Sequence, residues 1–433
     1  MQLTEKNNIA NALALASISL IGQHSYASEP VAGDHDDWNV DAAIMYYGEK
    51  NRVQAVEAIG NVQMAFGDTS LLDIKIVFDG LTGASASGAV AQSQAQTFTR
   101  PSGHGEYVIK AGETPLDDTF HDTRVQLSAN WSETLSTQWK VNGGLYGSKE
   151  FDYTSLGANA GIEHGFNKDN TTLALSGSYT FDTIDPISGR PVPLSQMALR
   201  ANYDTEAAFQ TAFNQTRNTA SDDKQTADIL FSVTQVLNTH WLFQANYGLS
   251  SVSGYLTDPY KILSQVDSSG TTQSYLYENR PDSRLKHSFY MMTKGALDSG
   301  VVDFSYRYTT DDWSLSSHTL ETHYRYYFGG HFYAQIHLRY YQQQAADFYQ
   351  TFLLAGDPLA EYASADYRIG DMTTYTFGLK FSQGLSGGHE LSYRLEYYQQ
   401  NPESNGTVLI GQLQQHDLFP AVKAIIAQFS YSF

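Results

Sequence analysis

The feature that most constrains this chain is a period of two in its apolar residues, recurring in segments along the whole length. It is plain in residues 421–433, where Ile425, Ala427, Phe429 and Tyr431 alternate with Gln428, Ser430 and Ser432. Strand side chains point alternately to opposite faces, so such a segment has one greasy face and one polar face. The pattern returns in Leu72, Ile74, Ile76 and Phe78 with Asp73 and Lys75 between them, and in Val302, Phe304, Tyr306 and Tyr308 around Asp303, Ser305 and Arg307. Read this way, the chain holds about sixteen strands. Each is long enough for the ~9–11 residues that a tilted strand needs to cross a bilayer.

The connections carry more weight than the strands. Numbered in order, the even ones are short: Gly67-Asp68-Thr69, Ser132-Glu133-Thr134, Asn167 to Asn170, Leu237-Asn238-Thr239, Gly295 to Gly300, Phe328-Gly329-Gly330 and Ser386-Gly387-Gly388. The long ones, near 81–118, 185–222, 254–283, 347–365 and 401–419, are all odd-numbered. A sandwich or propeller has no reason to gather its long loops at one end. A transmembrane barrel does, with short periplasmic turns and longer outer loops. The fold expected is all-β, a closed antiparallel barrel over residues 36–433 in a Gram-negative outer membrane, with the termini on the periplasmic side. A terminal Phe433 with aromatics two and four residues upstream resembles the C-terminal signal read by the barrel-assembly machinery.

Composition agrees. No helical span is available, because the only continuous apolar run, near the N-terminus, is too short to cross. A net charge of -20 argues against nucleic acid as a partner. Absence of Cys excludes disulfides, thiolate metal sites and covalent c-type haem, and no cofactor is expected. Residues 1–27 read as a signal peptide, with Lys6, an apolar stretch over Ile9 to Ile21, and Ser25-Tyr26-Ala27 as the cleavage site. Residues 28–35 are a short periplasmic lead-in.

Several blocks in one order also resemble the outer-membrane family catalogued as domain of unknown function 3570. They include Asp79-Gly80-Leu81-Thr82-Gly83-Ala84-Ser85, Gly254-Tyr255-Leu256-Thr257-Asp258-Pro259-Tyr260-Lys261 and Tyr277-Glu278-Asn279-Arg280-Pro281-Asp282-Ser283-Arg284. Asp311-Asp312-Trp313, Ala346-Asp347-Phe348-Tyr349, Ser364-Ala365-Asp366-Tyr367-Arg368 and Leu418-Phe419-Pro420 follow. The resemblance implies a barrel over nearly the whole mature length. Family members are often encoded beside a periplasmic flavin-attaching transferase and small exported proteins, so the resemblance also points to a periplasmic redox partner.

Two sets of residues could carry function. One would crowd the outer mouth: Asp79, Asp258, Lys261, Glu278, Arg280, Asp282, Arg284, Asp311, Asp312, Asp347, Asp366 and Arg368. Such density can fold loops into the pore, bind a ligand or hold a cation through oxygen ligands; the plainer reading is that the charges pair and stiffen the loops. The other set faces the lumen. Its cations Lys286, Arg307, Arg325, Arg339, Lys380 and Arg394 lie in the C-terminal half, with the acids Asp303, Glu321 and Glu396. Asp41, Glu57, Asp73, Glu163, Asp182 and Asp228 face inward from the N-terminal half. Opposed walls would set a transverse field across a channel, whereas pairing between neighbouring strands would merely fill it.

An enzyme is not expected. His287, His318, His323, His331 and His337 are available, yet there is no Gly-x-Ser-x-Gly, no His-x-x-x-His, and only Ser316-Ser317-His318 near a nucleophile-base pair. No metal site follows from this spacing; the runs Asp311-Asp312 and Asp34-Asp36-Asp37 lack the twelve-residue calcium-loop pattern. The function expected is a channel or solute-uptake pore with a loop-constricted mouth. The alternative is a plugged structural or binding barrel that serves a periplasmic or extracellular partner. Outer-membrane lipid, lipopolysaccharide and a small solute complete the expected partners.

Overall fold

The computed structural model describes residues 38–329, 331–404 and 406–433. The expected signal at 1–27, the lead-in at 28–35 and the run Asp34-Asp36-Asp37 lie outside the described residues. Sixteen strands close into one barrel. The first eight are β1 (Trp38–Glu49), β2 (Gln54–Phe66), β3 (Ser70–Ala86), β4 (Leu116–Thr134), β5 (Trp139–Lys149), β6 (Tyr153–Phe166), β7 (Thr171–Ile184) and β8 (Asp222–Val236). The second eight are β9 (Trp241–Gly254), β10 (Ser283–Leu297), β11 (Gly300–Asp311), β12 (Ser316–Tyr327), β13 (Phe332–Gln344), β14 (Met372–Gly384), β15 (Glu390–Pro402) and β16 (Val422–Ser432).

Each strand pairs with the next, and β16 returns antiparallel to β1, with Ile44 opposite Phe429. Closure leaves no edge strand, which lipid would penalise because it offers no hydrogen bonds to free backbone groups. The expected faces hold. Ile44, Leu127, Leu145, Leu156, Phe377 and Leu395 project outward and are exposed, while Asp41, Glu57, Asp182 and Glu396 are buried on the inner face. Apolar outside and polar inside is the reverse of a water-soluble sheet, and it is the pattern of a barrel in lipid.

Two short turns fall elsewhere than the sequence suggests. The fourth connection lies at 135–138 rather than at Ser132 to Thr134, because Ser70 and Trp131 both donate to Glu133 and hold β4 in the ladder. The Gly295 to Gly300 turn shrinks to Asp298-Ser299, since Leu297 pairs directly with Gly300. Strands β3 and β4 also run further at their long-loop ends, pairing as far as Ala86 with Leu116, so the loop expected at 81–118 is 87–115.

The five long connections, 87–115, 185–221, 255–282, 345–371 and 403–421, have structure of their own. Gln96–Thr99 pairs with Glu106–Ile109, and Ile262–Val266 is flanked by Thr272–Tyr277 and Leu353–Leu354 in a three-stranded sheet. The segment expected to be plain loop at 185–222 contains helix α1 (Glu206–Gln215). The Thr205 side chain caps that helix by accepting from Ala208 N at 3.1 Å, and Phe209 and Phe213, one turn apart, are buried. Connection 255–282 is the hub. Ile262 N donates to Ser87 O at 2.9 Å, Met197 N to Tyr275 O at 2.8 Å, Asn279 N to Ala363 O at 3.0 Å, and Gln412 N to Ser269 O at 2.8 Å. Each bond ties a different long connection to it. The fit is tight at Gly88, whose positive φ suits glycine and where an added Cβ would lie 2.4 Å from Ile262 O.

Candidate functional site at the long-loop end and lumen wall

Six of the twelve residues assigned to the mouth come together in one buried knot. Arg280 Nε lies 2.6 Å from Glu278 Oε1, and its Nη2 donates to Asp366 Oδ2 at 2.8 Å. Arg368 donates from Nε to Asp366 Oδ1 at 2.8 Å and from Nη2 to Asp258 Oδ2 at 2.7 Å. Lys261 completes the set, with its ammonium bonded to the carbonyl of Ala86 at the end of β3. Ser364 Oγ and the Asp258 amide donate to Glu278 at 2.5 and 2.7 Å. Three acids thus face three bases, all but Arg368 below 4% exposure. Such a group survives burial only because its charges balance and its lone pairs are met.

The protonation tendencies follow from that balance. Burial pushes the Lys261 ammonium down, and Asp366 pulls against it. Burial alone would raise Asp366, but Arg368, Lys261 and Arg280 outweigh it and hold the carboxyl well below its usual range. Glu278 is pushed up by burial, with Arg280 opposing.

The remaining six lie elsewhere. Arg284 pairs with Asp311 at 2.5 Å and stacks over Trp313, whose Nε1 donates to Ser283 O at 2.8 Å. Asp312 accepts from Leu285 N, and Asp347 from Ser314 Oγ. Asp79 is bonded to Arg124 at 2.6 Å on the inner wall. The Asp282 carbonyl accepts from Gly254 N. Asp311 is therefore occupied by a guanidinium and by the turn amides of Trp313 and Leu315, and Asp312 by a strand amide.

On the lumen wall, pairing between neighbours is common. Arg124 also approaches Glu57 at 3.7 Å, Lys224 meets Asp182 at 3.0 Å, Lys140 meets Glu163 at 3.9 Å, and Arg394 meets Glu396 at 3.2 Å. Asp73 accepts from Asn61 and Gln63, and Asp228 from Ser178. Arg307 lies over Tyr290, while Arg325 and Lys380 lie over Tyr333. Lys286 is the cross-strand partner of Asp311, and Arg339 that of Glu321. Asp41 is buried on β1. Asp303, Glu321 and Glu396 each contact a histidine, His323 or His337.

The sequence reading missed Arg124, Lys224 and Lys140 as inward cations of the N-terminal half. The signal was present: Arg124 precedes the outward Val125, so the period of two points it inward. His287 and His318 lie on the outer face, bonded to Tyr247 and Tyr306.

Solved structures similar to this chain are bacterial outer-membrane barrels. One is a bacterial polysaccharide outer membrane secretin, 8% identical, with a TM-score of 0.47, covering 93% of this chain and 100% of that one. Another is the outer membrane protein opdK from Pseudomonas aeruginosa, 9% identical, with a TM-score of 0.36 and coverage of 92% and 99%. The siderophore receptor PirA from Acinetobacter baumannii is 10% identical, with a TM-score of 0.41 and coverage of 85% and 53%. At such identities the likeness concerns the fold alone. No curated protein sequence matches the chain. The sequence does match one family over residues 10–433, described as "Protein of unknown function (DUF3570)", and this sixteen-strand barrel belongs to it.

Proposed function

We propose that the protein is a channel of the Gram-negative outer membrane for a small polar solute, its outer mouth closed down by the five interlocked long connections. One observation carries the reading: the loop assembly touches the barrel rim at three widely separated places. Tyr367 lies under Arg52, between β1 and β2, at 5.9 Å. Tyr260 donates to Asp152, between β5 and β6, at 2.7 Å. Phe348 packs edge-on against Trp313, between β11 and β12, at 5.1 Å. A sixteen-strand barrel is wide enough to leave an aqueous lumen, so an assembly that reaches across its rim acts as the constriction. The charged inner wall then lines the path below.

In this reading the lipid face meets lipopolysaccharide, and the last strand is the element read by the barrel-assembly machinery. Heat-modifiable gel migration of the detergent-extracted protein should accompany recovery in the outer-membrane fraction; a protein soluble without detergent would contradict it. Planar-bilayer recording tests the channel itself. Wild type should give small or rare openings, and shortening 255–282 should enlarge them several-fold.

The buried charge knot favours a second reading, a permanently plugged barrel that serves a periplasmic or extracellular partner, including a flavin-linked redox protein. Silence in the bilayer after the hub is shortened, in protein that still shows heat-modifiable migration, would favour that reading over the channel.

A further inference from the structure

We propose that the lumen wall holds a site for a divalent first-row transition-metal ion, with His323, His337 and Glu321 as ligands. His323 on β12 and His337 on β13 are direct cross-strand partners, and Glu321 precedes His323 by two residues on the same inward face. One donor atom from each lies within 4.8 Å of the others. Glu321 Oε1 is 3.0 Å from His337 Nε2 and 3.8 Å from His323 Nε2. A tetrahedral ion with bonds of about 2.0–2.1 Å holds its ligands roughly 3.3 Å apart, and the two spacings bracket that value.

The second observation lies behind the rings. His323 Nδ1 is 2.9 Å from Asp303 Oδ1, and His337 Nδ1 is 3.0 Å from Glu396 Oε1. A carboxylate on the far nitrogen fixes the tautomer, turns the Nε2 lone pair forward and makes it a stronger ligand, which is the outer-shell arrangement of metal-bound histidine. Both rings have it, and they stack with centroids 4.4 Å apart and planes 15° from parallel. His337 Nε2 is hydrogen-bonded to the same Glu321 oxygen that His323 Nε2 faces, so an ion would take the place of the proton between them.

The surrounding charge suits a cation. With both imidazoles neutral, the acids Asp303, Glu321 and Glu396 face Arg339, opposite Glu321, and Arg394, which is shared by Glu396 and Gln428. Two imidazoles and one carboxylate suit Zn²⁺, Co²⁺, Ni²⁺ or Cu²⁺, and leave a coordination position for water or a passing solute. The site does not depend on whether the mouth opens. It eludes a search for His-x-x-x-His because its ligands come from two strands joined by register and not from one segment.

Untagged full-length protein in detergent, stripped by a chelator, is titrated with Zn²⁺ by calorimetry and with Co²⁺ by visible absorption. One saturable ion per chain is expected. Asp303→Asn and Glu396→Gln should each weaken binding about 10–100-fold, and His323→Ala with His337→Ala should abolish it. His287→Ala should leave it unchanged, and heat-modifiable migration checks the fold of every variant. Wild type alone supplies a further test. Zn²⁺ should protect His323 and His337, but not His318, from diethylpyrocarbonate. Absence of saturable binding, or protection confined to other histidines, would overturn the proposal.

Discussion

Arg280→Ala should loosen the interlocked loops while leaving the barrel standing. The substitution removes the cation that bridges Glu278 and Asp366; it strands the Glu278 carboxylate and leaves Asp366 to Arg368, in a region where neither acid is more than 1% exposed. Breaking a buried pair by deleting one partner costs about 3–5 kcal/mol, because the remaining charge has lost both water and its counter-ion. That is a large fraction of what holds loops together, yet the barrel ladder from β1 to β16 contains none of these residues. Limited proteolysis should therefore cut within 255–282 and 345–371 of the variant and spare wild type, with heat-modifiable migration retained. Resistance equal to wild type would mean that the knot does not hold the loops. Arg280→Met combined with Glu278→Gln restores the count of opposite charges and should recover part of the loss, the coupling being read from the double-mutant cycle.

The same substitution links loop packing to transport. If the knot is what keeps the assembly across the rim, Arg280→Ala should raise the frequency of channel openings without any loop being shortened.

The barrel was legible because lipid imposes one rule on every strand. A residue on β16 faces either hydrocarbon or lumen, so Ile425, Ala427 and Phe429 against Gln428 and Ser430 already disclose strand, face and register. The loops obey no such rule. The Gln96–Thr99 hairpin and the three-stranded sheet around Ile262–Val266 are short and enclosed by other loops, so they carry no long alternation to read. Helix α1 did leave a signal in Thr205 followed by Phe209 and Phe213, but a single capped turn pattern inside a polar stretch is easily taken for loop. The knot was half legible. All six of its residues stand out as charges near the mouth, while their pairing does not, because Arg368 reaches Asp258 across 110 residues of sequence. Spacing along the chain has no information about such a contact until the strands between have closed into a barrel. His323 and His337 make the same point on the wall, since their meeting is a matter of register between β12 and β13.

Ala427→Lys should impair assembly severely, and Lys423→Gln should be almost silent. Both positions lie on the outward face of β16 with Ile425 and Phe429. Lys423 sits at the long-loop end of the strand, paired with Gln399 and accepting through its carbonyl from Lys50 N at 3.0 Å in the turn after β1. A cation there is level with headgroups, and its loss or gain is worth only ~0–1 kcal/mol. Ala427 lies in the middle of the eleven-residue strand, opposite Leu395 and Tyr46. Lysine at that depth costs ~2–4 kcal/mol, because the ammonium must sit in hydrocarbon or drag its stem several residues towards an interface. The amount of heat-modifiable protein in the outer-membrane fraction measures the outcome. Equal yields for Ala427→Lys and wild type would reverse the inside and outside of β16. Through the unbroken register that joins β16 to β1 and β15, such a reversal would turn every other strand with it, and Lys286, Arg307, Arg325, Arg339, Lys380 and Arg394 would all face lipid. Six cations turned to hydrocarbon, each costing up to ~2–4 kcal/mol according to depth, would cost about as much as the whole stability of a domain, so the two assignments are tied to one measurement.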